Sequence, residues 1–157
     1  MIKIELAKKK DLKECAKILM EIYNNNVLNE GWTDESSYAI CEFYFKMQPE
    51  LFLVAKVANE VAGFTFSYIK PWADGNQLMI EEISVKEEYR KQKIATSLLK
   101  TLIQKAKDKY NVTCANGTTY LGENDMPFSW YKRIGFKKVD DLFLIEGKTD
   151  EVLNNLN

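Results

Sequence analysis

"YRKQKIATSLL", residues 89–99, decides how this chain is read. Arg90, Lys91 and Lys93 put three cations into four positions, Ala95 and Thr96 follow as small residues, and an apolar helical pattern then begins. A helix start exposes unpaired backbone N–H groups and the positive end of a dipole. With small side chains that let the backbone come close, it suits an anion, phosphate above all. Ile94, Leu98 and Leu102 form one row of the helix and Ala95, Leu99, Ile103 and Ala106 the next, with Lys100, Gln104, Lys105 and Lys107 outside. A solvated basic helix face would look the same from this stretch alone. Its surroundings have to separate the two.

Immediately upstream, "QLMIEEISV" (77–85) reads as a strand, so the cationic stretch is a strand-to-helix turn. Further back, "IKIELA" (2–7) reads as a strand, and Leu12, Cys15, Ala16, Leu19 and Tyr23 form a helical stripe ending at Asn24-Asn25-Asn26. A second helix is expected after Thr33, with Asp34 and Glu35 in its first turn and its end before Pro49. "LFLVAKV" and "VAGFTFSYI" flank Asn59-Glu60 as a hairpin, and "KPWADGN" (70–76) reads as a loop. Downstream, "VTCANGTTY" contains a strand. "NDMPFSWYKRI" is a short helix with Asp125 as cap and Gly135 at its end, and "FKKV" and "DLFLIEG" are expected as closing strands. No repeat, low-complexity segment or interdomain linker interrupts the 157 residues, so a single domain over 1–157 is expected. Strands mostly joined as hairpins, with helices between some of them, predict an α+β (mixed α/β) fold.

Composition excludes several functions. The chain contains no histidine, which removes a Ser-His-Asp triad, a Cys-His pair, an HExxH zinc site and a histidine base. Proton transfer is left to Glu, Asp, Tyr, Lys, Cys or water. Cys15, Cys41 and Cys114 are odd in number and far apart, giving neither a disulfide framework nor metal-ligand spacing. No metal is expected, and a reducing cytoplasm is the expected compartment. A net charge of −1 points to neither nucleic acid nor membrane as partner. No apolar run is long enough for a bilayer, and the N-terminus lacks a secretory pattern. The charge is segregated nonetheless. Residues 27–85 hold nine acids against three bases, whereas residues 86–109 hold eight bases against three acids.

The turn resembles the acetyl-CoA signature of the GNAT superfamily of N-acetyltransferases, Arg/Gln-x-x-Gly-x-Gly/Ala, here Arg90-Lys91-Gln92-Lys93-Ile94-Ala95. A second block of that family, Asn, then Tyr seven residues on, then Gly-Phe, appears as Asn124, Tyr131 and Gly135-Phe136. Together the blocks give a specific match over about residues 77–137. The order of the remaining strands and helices also resembles the family. "IEEISV" is similar to the Ile-Glu-Asp strand of the spermidine/spermine acetyltransferase branch. The departure is Lys93, which stands where the family has its first glycine. Glycine there lets the backbone approach pyrophosphate, whereas lysine adds both charge and bulk.

The resemblance implies a central, mostly antiparallel sheet of six to seven strands flanked by about four helices, with one strand pair splayed to form the acyl-CoA cleft. It implies acetyl-CoA as donor, with pyrophosphate on Arg90, Lys91, Gln92, Lys93, Ile94, Ala95 and Thr96. Ile83, Ser84 and Val85 would lie along the pantetheine arm, and Asn124 would contact it. A bulge in that strand is usual in the family. Tyr131 resembles the general acid that protonates the departing thiolate, with a core aromatic as the plain alternative. Adjacent strand residues ordinarily face opposite sides, so only one of Glu81 and Glu82 would point into the cleft; the strand resemblance favours Glu81 as base, directly or through water, and a bulge could hand the role to Glu82. Both would otherwise be surface carboxylates. The acceptor is expected to be a small-molecule amine, and a cationic one, since Glu30, Trp32, Asp34, Glu35, Glu42, Tyr44, Trp72 and Asp74 make the first half acidic and aromatic. A protein or peptide acceptor and a catalytically silent acyl-CoA-binding regulatory domain are the rival readings. Dimers are common in the resembled family, and no residue decides whether this chain forms one.

Overall fold

The computed structural model describes residues 2–25, 28–120, 127–142 and 144–156. In chain order the elements are β1 (Ile2–Leu6), α1 (Leu12–Tyr23), α2 (Asp34–Met47), β2 (Phe52–Val57), β3 (Glu60–Trp72), β4 (Gly75–Val85), α3 (Ile94–Tyr110), β5 (Cys114–Gly117), α4 (Phe128–Arg133) and α5 (Thr149–Asn155). Residues 1–118 form one compact unit and residues 119–157 a second.

The first unit is a five-stranded sheet in the order β1-β2-β3-β4-β5, antiparallel throughout except for the parallel β4–β5 pair. Consecutive antiparallel strands need only tight turns, whereas the parallel pair needs a crossover, and α3 supplies it. The β2–β3 turn has positive φ at Ala58 (48°) and Asn59 (70°), the backbone of a two-residue hairpin loop. Thr33 caps α2, its hydroxyl accepting from Ser36 N at 3.1 Å while Ser36 Oγ accepts from Thr33 N at 2.9 Å. The β2 and β3 side chains alternate between two layers. Phe52, Val54, Phe64 and Phe66 join Leu12, Cys15, Ile18, Leu19 and Cys41 of α1 and α2. On the opposite face α3 buries Ile94, Leu98, Leu99, Leu102 and Ala106 against β3 and β4.

The 70–76 segment is mostly strand rather than the expected loop. Pro71 pairs with Asn76 and Trp72 with Gly75, which leaves only Ala73 and Asp74 as the turn. Proline is tolerated because β2 pairs with β3 only as far as Phe66, so Pro71 lies where β3 is an edge on that side.

In the second unit Gly135, at φ 102°, terminates α4 as expected, and Asp125 lies outside the described residues. "FKKV" and "DLFLIEG" form no strand among the described residues, so the sheet has five strands there rather than six or seven, alongside five helices rather than four. A strand exists only through a partner ladder, and Val139, Leu142, Leu144 and Ile145 are exposed. Apolar alternation marks what a strand could bury without supplying the edge it needs. No helix among the described residues is long and apolar enough to cross a membrane.

One buried charge cluster ties the β1 edge to α1. Lys56 Nζ lies 2.8 Å from Glu5 and 3.0 Å from Asp11, and Asp11 also accepts from Lys8 N at 2.9 Å. Asp11 is buried, so removing its cation leaves a charge without its partner. Lys56→Met should therefore destabilise the fold by about 2–3 kcal/mol, measured as a lowered urea midpoint at pH 7. An unchanged midpoint would show that the cluster contributes nothing net.

Candidate active site

The β4–β5 ladder stops partway along β4. The strands pair from Gln77↔Cys114 to Ile80↔Gly117, after which β4 runs on through Val85 with no β5 partner. Among the described residues, 81–85 thus have no strand beside them on the β5 side.

At the same point β4 bulges. Phe66 pairs with Glu82 and Ser67 pairs with Ile80, so Glu81 is an extra residue in the strand. An extra residue resets which side chains share a face. Glu82 lies opposite Phe66, whose ring stacks on Tyr44 of α2 at 4.4 Å. The Glu81 carboxylate acts on Tyr44 and Tyr68, which also face α2 and lie 6.4 Å apart. Both carboxylates therefore stand on the α1–α2 face. Adjacent strand residues ordinarily face opposite sides, and the bulge expected in this strand is what sets both on one.

Their environments differ. Glu81 is exposed, and burial together with its carboxylate pushes the phenols of Tyr44 and Tyr68 up. Glu82 is 9% exposed. Its Oε1 accepts from Ser84 Oγ at 2.7 Å and Ile83 N at 2.9 Å, and its Oε2 accepts from Tyr23 Oη at 2.8 Å. Burial raises its pKa above the ordinary carboxyl value. The three hydrogen bonds oppose that rise without cancelling it, and Glu30 adds to it. Glu30 is held in place by Trp32, whose Nε1 donates to it at 2.8 Å. The loop bearing both is fastened to the end of α1: Asn24 Nδ2 donates to Trp32 O at 2.6 Å, Trp32 N to Asn24 Oδ1 at 2.7 Å, and Glu30 N to Tyr23 O at 3.0 Å.

Of the acidic and aromatic residues expected around an acceptor, Glu30, Trp32 and Tyr44 are brought to this pair of carboxylates. Asp34 and Glu35 are exposed in the first turn of α2, Glu42 pairs with Lys46 at 2.8 Å, and Trp72 lies under Lys70 at 4.3 Å. Asp74 sits in the β3–β4 turn. Tyr23 and Tyr68 were not expected at the site. Tyr23 carries the signal of a helical apolar stripe, and nothing in a single sequence distinguishes a tyrosine with its hydroxyl on a distant carboxylate from one buried for its ring.

The cationic turn follows at the end of β4. Lys91 (φ 61°) and Lys93 (φ 62°) are both left-handed, and Lys93 caps α3 with no side-chain hydrogen bond. The first helical bond is Ser97 N to Lys93 O, at 2.9 Å, so the amides of Ile94, Ala95 and Thr96 have no partner within the helix. Successive amides turned by left-handed residues form an anion-binding concavity. Lysine thus keeps the backbone conformation that glycine would adopt freely, at a cost of about 1 kcal/mol. The Arg90, Lys91, Gln92 and Lys93 side chains are exposed, while that of Ile94 is buried and leaves only its amide. Ser84, paired with Phe64 of β3, turns its hydroxyl inward to Glu82 where β5 has ended. Ile83 and Val85 on either side of it are half-buried. Within the second unit the Tyr131 ring packs edge-on against Trp130 (4.8 Å) and Phe136 (5.4 Å). Asn124 lies outside the described residues.

Residues 12–136 match the family model described as the Acetyltransferase (GNAT) family. The chain belongs to that family, and with it to the acetyl-CoA-dependent N-acetyltransferases. No curated protein matches it. Among solved structures it is similar to PH1933 from Pyrococcus horikoshii OT3, with 26% identity, TM-score 0.75, and coverage of 91% of this chain and 93% of the other. The aminoglycoside N-acetyltransferase AAC(6')-Iy in complex with CoA is 16% identical (TM-score 0.74; 94% and 95% covered). The ribosomal-protein-alanine N-acetyltransferase from Brucella melitensis biovar Abortus 2308 is 18% identical (TM-score 0.71; 94% and 100% covered). At those identities the last two share the fold.

A carboxyl whose folded pKa lies above its unfolded value stabilises the protein only while protonated, and that contribution disappears as pH rises through the folded pKa. Wild type should accordingly lose stability relative to Glu82→Gln as pH rises from about 4.5 to 8. Urea unfolding of both proteins at each end of that range measures it. A stability difference independent of pH would contradict a raised Glu82 pKa.

Proposed function

We propose that the protein acetylates a small cationic amine by direct attack of the amine on the thioester. The observation that carries this is the bulge at Glu81, which sets two carboxylates on one face just past the end of the β4–β5 ladder, with Glu30, Trp32, Tyr44 and Tyr68 around them. An acidic, aromatic surface attracts a cation and repels an anion. The aminoglycoside acetyltransferase among the similar structures is consistent with this class of acceptor.

Acetyl-CoA supplies an activated acetyl group on a thiolate leaving group. The chain's residues suit it. The unpaired amides of residues 94–96 and the exposed cations at 90, 91 and 93 would hold its phosphates. The stretch Ile83, Ser84 and Val85, beyond the end of the β4–β5 ladder, would run beside its pantetheine arm, and a backbone N–H there would stabilise an oxyanion. Asn124 is proposed as a further pantetheine contact and Tyr131 as the acid for the departing thiolate.

An alkylammonium has a pKa of about 10 and must lose a proton before it can attack. A base works best when its pKa lies near the working pH. Burial raises the Glu82 pKa toward that condition, so we assign Glu82 as base and the exposed Glu81 to holding positive charge on the acceptor. This reverses the order suggested by the family strand. Glu82→Gln should lower kcat about 10²–10⁴-fold with acetyl-CoA affinity unchanged, whereas Glu81→Gln should act mainly on KM for the amine. The opposite pattern would return the base role to Glu81. Tyr131→Phe should lower kcat less for thioesters with more acidic thiols, since such a thiolate needs no proton.

The decisive experiment is a screen of amines with acetyl-CoA, read by mass spectrometry. The best acceptors should carry a positive charge beyond the reacting nitrogen. Preferred acetylation of neutral or anionic amines, or of peptide N-termini, would overturn the reading. Lys93→Gly tests the donor site separately: acetyl-CoA binding by calorimetry should weaken several-fold and depend less on salt. Tighter binding would show that the lysine only obstructs.

A further inference from the structure

Resting on Glu82 as base, we propose that Tyr23 passes the proton of the acceptor amine to it. Glu82 is buried, and its two oxygens are not equivalent. Oε1 is occupied by Ser84 Oγ and Ile83 N, while Oε2 has a single donor, the Tyr23 hydroxyl at 2.8 Å. The relay places the acceptor amine on the Tyr23 hydroxyl, which already donates to Oε2. Tyr23 is half-buried, as an intermediary between solvent and a buried carboxylate must be.

Tyr23 is also fixed in position. It is the last residue of α1, its carbonyl accepts from Glu30 N, and the Asn24–Trp32 pair of bonds closes the loop that follows. Its hydroxyl is thus bonded to Glu82 and its carbonyl to the loop bearing Glu30 and Trp32. Several elements meet at Glu82: Tyr23 from α1, Glu30 from the following loop and Ser84 from β4 itself act on it, and Glu82 in turn adds to the rise that burial gives Cys41 of α2. From β3, Thr65 Oγ1 donates to the Glu82 carbonyl at 2.6 Å. Glu81 precedes it in the bulge. No lysine or arginine is paired with Glu82, so its affinity for a proton is kept.

The step balances as a double transfer. The ammonium N–H bond breaks as a new O–H bond forms on Tyr23, while the original Tyr23 O–H bond breaks and Glu82 Oε2–H forms. The amine gains its lone pair, Tyr23 ends as a neutral phenol, and Glu82 ends as a carboxylic acid. The reverse path returns that proton to solvent after product leaves.

The test compares wild type with Tyr23→Phe, using acetyl-CoA and 1,4-diaminobutane as the probe amine. Acetyl-CoA affinity should be unchanged, kcat should fall about 10²-fold, and the low-pH limb of kcat/KM should move upward because the charged form of Glu82 loses a donor. The Glu82 carboxyl midpoint, followed by carbon NMR with glutamate labelling and assigned by its absence in Glu82→Gln, should rise with that limb. The proton inventory in mixed light and heavy water should be curved for wild type, with two protons in flight, and linear for Tyr23→Phe. Wild-type rates in Tyr23→Phe, an unmoved Glu82 midpoint, or a linear inventory in both proteins would overturn the relay while leaving acetyl transfer intact. If wild type acetylates no amine in the screen, the function fails and the relay falls with it. Should Tyr23→Phe not fold, 3-fluorotyrosine at position 23 keeps ring and hydroxyl. Its more acidic phenol should strengthen the bond to Glu82 and move the limb downward, and an unmoved limb would overturn the relay.

Discussion

The extra residue in β4 at Glu81 is the constraint on which the site depends. A regular strand would carry the side chains of Ile80 and Glu82 to the same face. With the slip, Ile80 lies opposite Ser67 on the α3 side, and Glu82 lies opposite Phe66 on the α1–α2 side. β5 stops pairing at Ile80, so the bulge and the end of the β4–β5 ladder occur at one level of the sheet. One irregularity thereby joins a buried carboxylate, an exposed carboxylate and the stretch of β4 beyond that ladder.

The two carboxylates show how environment separates identical chemistry. Glu81 remains in water and raises the phenols around it. Glu82 sits under α1 and α2, where the loss of solvent favours its neutral form despite three donors. One exposed and one buried carboxylate thus stand on the same face of the sheet. The aromatic layer of Tyr44, Phe66 and Phe52 stiffens this arrangement from below, with ring centroids 4.4 Å apart for Tyr44–Phe66 and 5.3 Å for Phe52–Phe66.

The turn that follows β4 has a different character from the carboxylate pair. It gathers exposed cations and amides without partners within the helix, and it keeps left-handed geometry at Lys93 without glycine. Residues 27–85 are acidic and residues 86–109 basic, so the sign of the charge changes as the chain leaves the strand.

Local chemistry made much of this legible in the sequence. Thr33 before an acidic first turn marked the start of α2, Pro49 its end, and Gly135 the end of α4, because caps and breakers act over three or four residues. Arg90 to Thr96 were legible as a helix start, because the orphan amides there are the same wherever a helix begins. The pairing of strands was less accessible. "FKKV" and "DLFLIEG" have the right side chains and no ladder among the described residues, while Pro71 belongs to a strand because β2 ends early beside it. The union of Tyr23 with Glu82 spans 59 residues and exists only because α1 crosses the sheet at the bulge. Sequence alone determined the types of residue available for proton transfer, since it contains no histidine. Tertiary structure decided which of two adjacent glutamates is buried, because burial depends on the face a side chain is given and one inserted residue changes that face.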